Sequence, residues 1–127
     1  MANQRLFLWL ALGAIPVSYT HLTLPAEFQA VRTKGRRFSD EFFSVSVMHN
    51  QQGHPRLGLA IATRIFRTAV ARNRIKRLIR ESFRMNQNSL PAVNITCAAR
   101  EGARKAAAAE LCASLERTWK TIAARMQ

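Results

Sequence analysis

Twenty Lys and Arg against seven Asp and Glu in 127 residues give a formal charge of +13, a self-repulsion that a compact protein tolerates when a polyanion neutralises it. The length suits one domain with a modest core and excludes two ordinary ones. Cys97 and Cys112 stand fifteen positions apart without a CxxC, and His21, His49 and His54 are scattered, which excludes a disulfide framework and a zinc site and predicts two reduced, buried thiols.

No GxSxG, HExxH, phosphate-binding loop or workably spaced carboxylate pair occurs, so no side-chain catalyst and no metal ligands are expected from this chain. From Leu6 to Ala26 no residue is charged, and "LFLWLALGAIPV" behind Arg5 has the look of a short signal-peptide core. It is too short to span a bilayer, Pro16 interrupts it, and no small-x-small cleavage site follows. Residues 1–23 therefore read as an atypical apolar segment, disordered or foreign to the rest, and residues 24–127 as the domain.

"TLPAEFQAV" opens a first helix near 24–34, with Pro25 in its first turn, Glu27 at its positive end, and Phe28 and Val31 on one face. Thr23 stands four residues before Glu27, which spoils a capping box. Gly35 stops the helix. "EFFSVSVM" then alternates as a strand, with Phe43, Val45 and Val47 opposite Phe42, Ser44 and Ser46. After the polar turn "HNQQGHP", "RLGLAIA" alternates again, Leu57, Leu59 and Ile61 against Gly58, Ala60 and Ala62. So short a loop predicts an antiparallel hairpin of these two strands.

Residues 71–84, "ARNRIKRLIRESFR", hold six basic side chains and one acid. On a helical wheel Ala71, Ile75, Leu78, Ile79, Ser82 and Phe83 form one stripe, while Arg72, Asn73, Lys76, Arg77, Arg80 and Arg84 fall opposite. Arg72, Lys76, Arg80 and Arg84 repeat every fourth residue, about 6 Å apart on a rod rising 1.5 Å per residue. Guanidinium forks so spaced suit phosphate oxygens and 2′-hydroxyls. A solvated face normally interleaves acids, yet Glu81 is the sole acid among eight basic groups between Arg64 and Arg84.

A third strand follows in "LPAVNITCAA", Val93, Ile95 and Cys97 against Asn94, Thr96 and Ala98, and a last amphipathic helix carries Leu111, Leu115, Trp119, Ile122 and Met126. All strands keep bulky groups on one face and small or polar ones on the other, which permits either a solvated face or a groove. Two rival functions are a DNA-binding regulator and an exported cationic protein. The first needs a short helix before the recognition helix, where "RLGLAIA" stands instead.

"ARNRIKRLIRESFR", with its RNR triplet, resembles the signature of the bacterial ribonuclease P protein subunit, and "FQAV", "RLGLAIA" and "LPAVNITCAAR" resemble that family in order and separation. The resemblance spans about residues 24–124. It implies an α+β fold, a two-layer sandwich with the basic helix in a left-handed βαβ crossover. It implies a catalytic RNA that removes the 5′ leader from precursor tRNA with Mg2+ held mainly by the RNA, none being bound by protein side chains alone. Contacts to that RNA would come from Arg64, Arg72, Asn73, Arg74, Lys76, Arg77, Arg80 and Arg84, and a leader cleft from Phe28, Arg32, Phe42, Ser44, Ser46 and Ala60. Arg32 stands where many members have a second aromatic, and Ser46 where some have a tyrosine, so weaker base stacking and stronger phosphate attraction are expected. A cytoplasmic ribonucleoprotein with no membrane association and no obligate protein partner is implied.

Overall fold

Alternation of β-branched and small residues builds the central strands, and the order in which they lie side by side is the part of the fold that positions everything else. The computed structural model describes residues 25–126. In chain order they form α1 (Pro25–Lys34), β1 (Arg36–Ser39), β2 (Phe43–His49), β3 (Arg56–Ala60), α2 (Ala69–Asn86), β4 (Val93–Ala99) and α3 (Ala108–Arg125), with 3-10 turns at Gln87–Ser89 and Glu101–Arg104. The expectations for residues 1–23, including the Thr23 cap, lie outside the described residues.

The four strands make one mixed sheet in the order β1-β2-β4-β3. β2 pairs antiparallel with β1 and with β4, while β3 runs parallel to β4. The expected hairpin between the strands at 41–48 and 56–62 does not form, because β4 lies between them. Two strand spacings amount to about 10 Å, and the six residues 50–55 span that easily. Gly53, at φ +80°, turns this loop. Asn50 holds it across the end of β4, donating from its backbone to the Ala92 carbonyl at 3.0 Å and from Nδ2 to Asn94 Oδ1 at 2.9 Å. The central place goes to the strand whose Val93, Ile95 and Cys97 are fully buried, and α2 supplies the long crossover that a parallel pair needs.

The hairpin that does exist joins β1 to β2. Asp40 makes its turn by accepting from the amides of Phe42 and Phe43, each at 2.8 Å, and its second oxygen accepts from Ser114 Oγ on α3. Burial pushes the Asp40 pKa up, but the hydrogen bonds from Ser114, Phe43 and Phe42 and the charge of Arg117 outweigh it and hold the carboxyl below its ordinary value. One half-buried acid thus ties the β1–β2 turn to the last helix.

The main core lies between the sheet and the pair α2 and α3. Ile75, Ile79 and Phe83 of α2 meet Leu111, Leu115, Trp119 and Ile122 of α3 above Phe43, Val45 and Val47. The Phe83 and Trp119 rings pack edge to face with centroids 5.9 Å apart, and Trp119 Nε1 donates to Ser82 Oγ at 2.9 Å. α1 packs against β2 and β4 from the other face, through Val31, which is 1% exposed. Gly35 ends α1 where no side chain fits, since a Cβ there would collide with the Val31 carbonyl and sit 2.9 Å from that of Val47.

Both cysteines are free, but only Cys97 is buried; Cys112 is exposed on α3. The expectation of two buried thiols fails for Cys112 because it follows Leu111 on the wheel and points away from the apolar stripe. Burial, with a smaller push from Asp40, raises the Cys97 thiol to about 12.

Candidate nucleic-acid interface

α2 starts at Thr68, whose hydroxyl accepts from the Ala71 amide at 3.1 Å, and no acid occupies its first turn. Burial of Ile75, Ile79 and Phe83 pins one side of the helix. That leaves Asn73, Arg74, Arg77 and Arg84 exposed and Arg72, Lys76 and Arg80 half-buried along its flank. The helix carries one acid, and its pair is slight: Arg77 Nε meets Glu81 at 3.4 Å with both side chains largely in solvent. Arg80 Nε is buried and has no hydrogen-bond partner among the described residues, an unusual state for so polar a group.

Arg72 departs from a simple outward ridge. Its Nη1 donates to the Phe66 carbonyl at 2.8 Å, which braces the segment before the helix, where Ile65 and Phe66 turn back onto the Ala62 carbonyl at 3.2 and 3.1 Å. This brace leaves Arg64 and Arg67 exposed just ahead of α2. Arg67 carries the same charge in the same place and was not singled out by periodicity, since it precedes the helical repeat.

On the other side of the sheet a cleft of about 100 Å³ opens between α1 and the strands. The structure brings together Phe28, Arg32, Ser44, Ser46 and Ala60 around it. Phe42 is not there. It sits at the Asp40 turn, before β2 begins, where strand alternation no longer governs direction, and its ring joins the main core at 8% exposure. In its place the cleft gains Thr96 and Ala98 from β4 and Arg37 from β1. Arg37 is opposite Ser46 in the β1–β2 register, a neighbour invisible without the pairing.

Among the described residues no three His, Cys, Asp or Glu side chains come together as a metal site, and no helix is long and apolar enough to cross a membrane.

The sequence model of the family Ribonuclease P matches residues 18–123. The chain belongs to the ribonuclease P protein family. A solved ribonuclease P protein from Staphylococcus aureus is 31% identical with a TM-score of 0.75, covering 80% of this chain and 94% of that one. The ribonuclease P protein from Thermotoga maritima is 26% identical with a TM-score of 0.73, covering 80% and 96%. A Staphylococcus aureus ribonuclease P protein mutant with defective mRNA degradation activity gives 30% and 0.77, over 82% and 88%.

From the ribonuclease P family follow RNA binding and a subunit role in the holoenzyme that processes tRNA 5′ ends, alongside the ribonuclease P RNA and precursor tRNA. The α+β fold with an open mixed sheet and three helices is that of the solved ribonuclease P proteins. The rival regulator reading falls away with this membership.

Proposed function

We propose that Arg64 and the polar and basic residues of α2 from Arg72 to Arg84 hold the catalytic RNA, while the cleft between α1 and the sheet receives the 5′ leader of precursor tRNA. The observation that carries this reading is the outer side of α2, where one exposed contact to Glu81 is the only ion pair along the helix among the described residues. Phe28 offers a ring on which an unpaired leader base stacks, and Arg32 and Arg37 attract the phosphates on either side. The chemistry falls to the RNA with Mg2+ held mainly there, and the particle works in the cytoplasm.

Reconstitution tests this. Mixed with the ribonuclease P RNA of its source, the protein stimulates precursor tRNA cleavage at low Mg2+, and Phe28→Ala weakens binding of leader-bearing precursor by about 1–3 kcal/mol while leaving mature tRNA unaffected. Neutralising six phosphates gives a log-log salt slope of about −4 to −5 for RNA binding. A chain that neither stimulates cleavage nor shows that slope is a generic basic protein.

A further inference from the structure

The described residues hold a second concavity that the ridge and the leader cleft leave unexplained. It lies between the first half of α2, the turn at Glu101–Arg104 and the start of α3, with a volume of about 520 Å³, inside the range of small-molecule sites. Its floor is apolar, made by Phe66, Ile75, Leu78 and Leu111. Around it stand Arg67, Arg74 and Arg104, with no carboxylate in the lining. Arg67 and Arg74 have no ion-pair partner among the described residues, and Arg104 reaches Glu101 at only 3.8 Å.

Two further features share this place. Thr68, the cap of α2, also lines the cavity, so the amide end of that helix, free of acids in its first turn, adds to the positive field. Arg74 belongs both to the cavity and to the basic face of α2, so an RNA seated on that face is carried to the cavity mouth. An apolar floor beside guanidiniums and a helix N-terminus matches the two halves of one nucleotide, a flat base and its phosphate.

We propose that this cavity takes one unpaired nucleotide of the bound RNA, the base over the floor between α2 and α3 and the phosphate among Arg67, Arg74 and Arg104. The proposal rests on the ridge reading and adds to it a base-holding site distinct from the leader cleft. Such a site adds contact with a base to the attraction of charge, because phosphate contacts position a nucleic acid without reading its bases.

The test fills the cavity without touching a charge. Ala108 lines it from the exposed start of α3, and Ala113 is exposed on the same helix away from it. Affinity for the ribonuclease P RNA is measured for the wild type, Ala108→Trp and Ala113→Trp across a salt series. The expected result is a roughly tenfold loss for Ala108→Trp, within the range of one stacked base, with an unchanged salt slope, and none for Ala113→Trp. Ala106→Leu, filling from the adjoining wall, shows the same loss if Ala108→Trp disturbs the helix start. Wild-type affinity in a folded filler, or an equal loss in Ala113→Trp, overturns the nucleotide site. Absence of RNA binding by the wild type itself overturns the ridge reading instead.

Discussion

α2 and α3 are the same length, 18 residues, and lie side by side over one core. Each buries a stripe at three- and four-residue spacing, and the two stripes meet at Phe83 and Trp119. Their outer faces differ. α2 has six basic residues and one acid, whereas α3 has Arg117, Lys120 and Arg125 set against Glu110 and Glu116. The inner stripe answers to the fold, which asks the same of both helices. The outer face answers to whatever it meets, and near-neutral mixing on α3 is the composition of a face that meets water.

The comparison breaks most directly by removing charge from each helix in turn. Arg77, Arg80 and Arg84 changed together to Ala cost roughly 3–6 kcal/mol of affinity for the ribonuclease P RNA and make the salt slope shallower by about 2–3. Arg117, Lys120 and Arg125 changed to Ala cost under about 1 kcal/mol, measured in the same filter-binding titration. Equal losses would mean that net charge alone, not the α2 face, holds the RNA.

Where the helices are alike, a substitution hurts both. Trp119→Ala empties the contact with Phe83 and strips Ser82 of its partner, and it lowers stability by about 3–5 kcal/mol in urea unfolding. α3 has a tie to the sheet that α2 lacks, through Asp40 and Ser114. Asp40→Ala leaves two amides at the turn unpaired and costs about 1–3 kcal/mol.

That tie also has a pH signature. The Asp40 carboxyl titrates lower folded than unfolded, so its contribution is complete above the unfolded value and is lost as pH falls through the folded one. Asp40→Ala therefore narrows its gap to the wild type as the medium is acidified below about pH 4, as followed by thermal unfolding across pH. The smallest effect concerns α3's solvent face alone. A maleimide at neutral pH labels Cys112 and spares Cys97, whose burial raises it to about 12, so mass spectrometry finds one adduct on the native protein and two on the unfolded chain.

Periodicity reached the helices and the strands with two or more large apolar residues, because burial on one side writes itself into spacing. It passed over β1, where Phe38 is the one apolar residue in four and nothing can alternate. Arg37 was missed with it, as a cleft residue created by register with Ser46. Phe42 was misplaced because it precedes the strand whose alternation was extended over it, and Arg72 has a brace to Phe66 that no wheel contains. The cavity beneath Arg67, Arg74 and Arg104 draws on α2, α3 and the turn between β4 and α3, segments whose closeness no local pattern records.

By itself the sequence determined which side of each helix and strand is oily, how much positive charge the chain carries and where that charge is densest, since these depend on neighbours within a few residues. Only the tertiary structure decided that β4 comes between β2 and β3, which arginines stay free, and what gathers on the two faces of the sheet. Those outcomes turn on contacts between residues tens of positions apart, where the gain from burying Val93, Ile95 and Cys97 in the middle of the sheet outweighs the pairing that a short loop would otherwise favour.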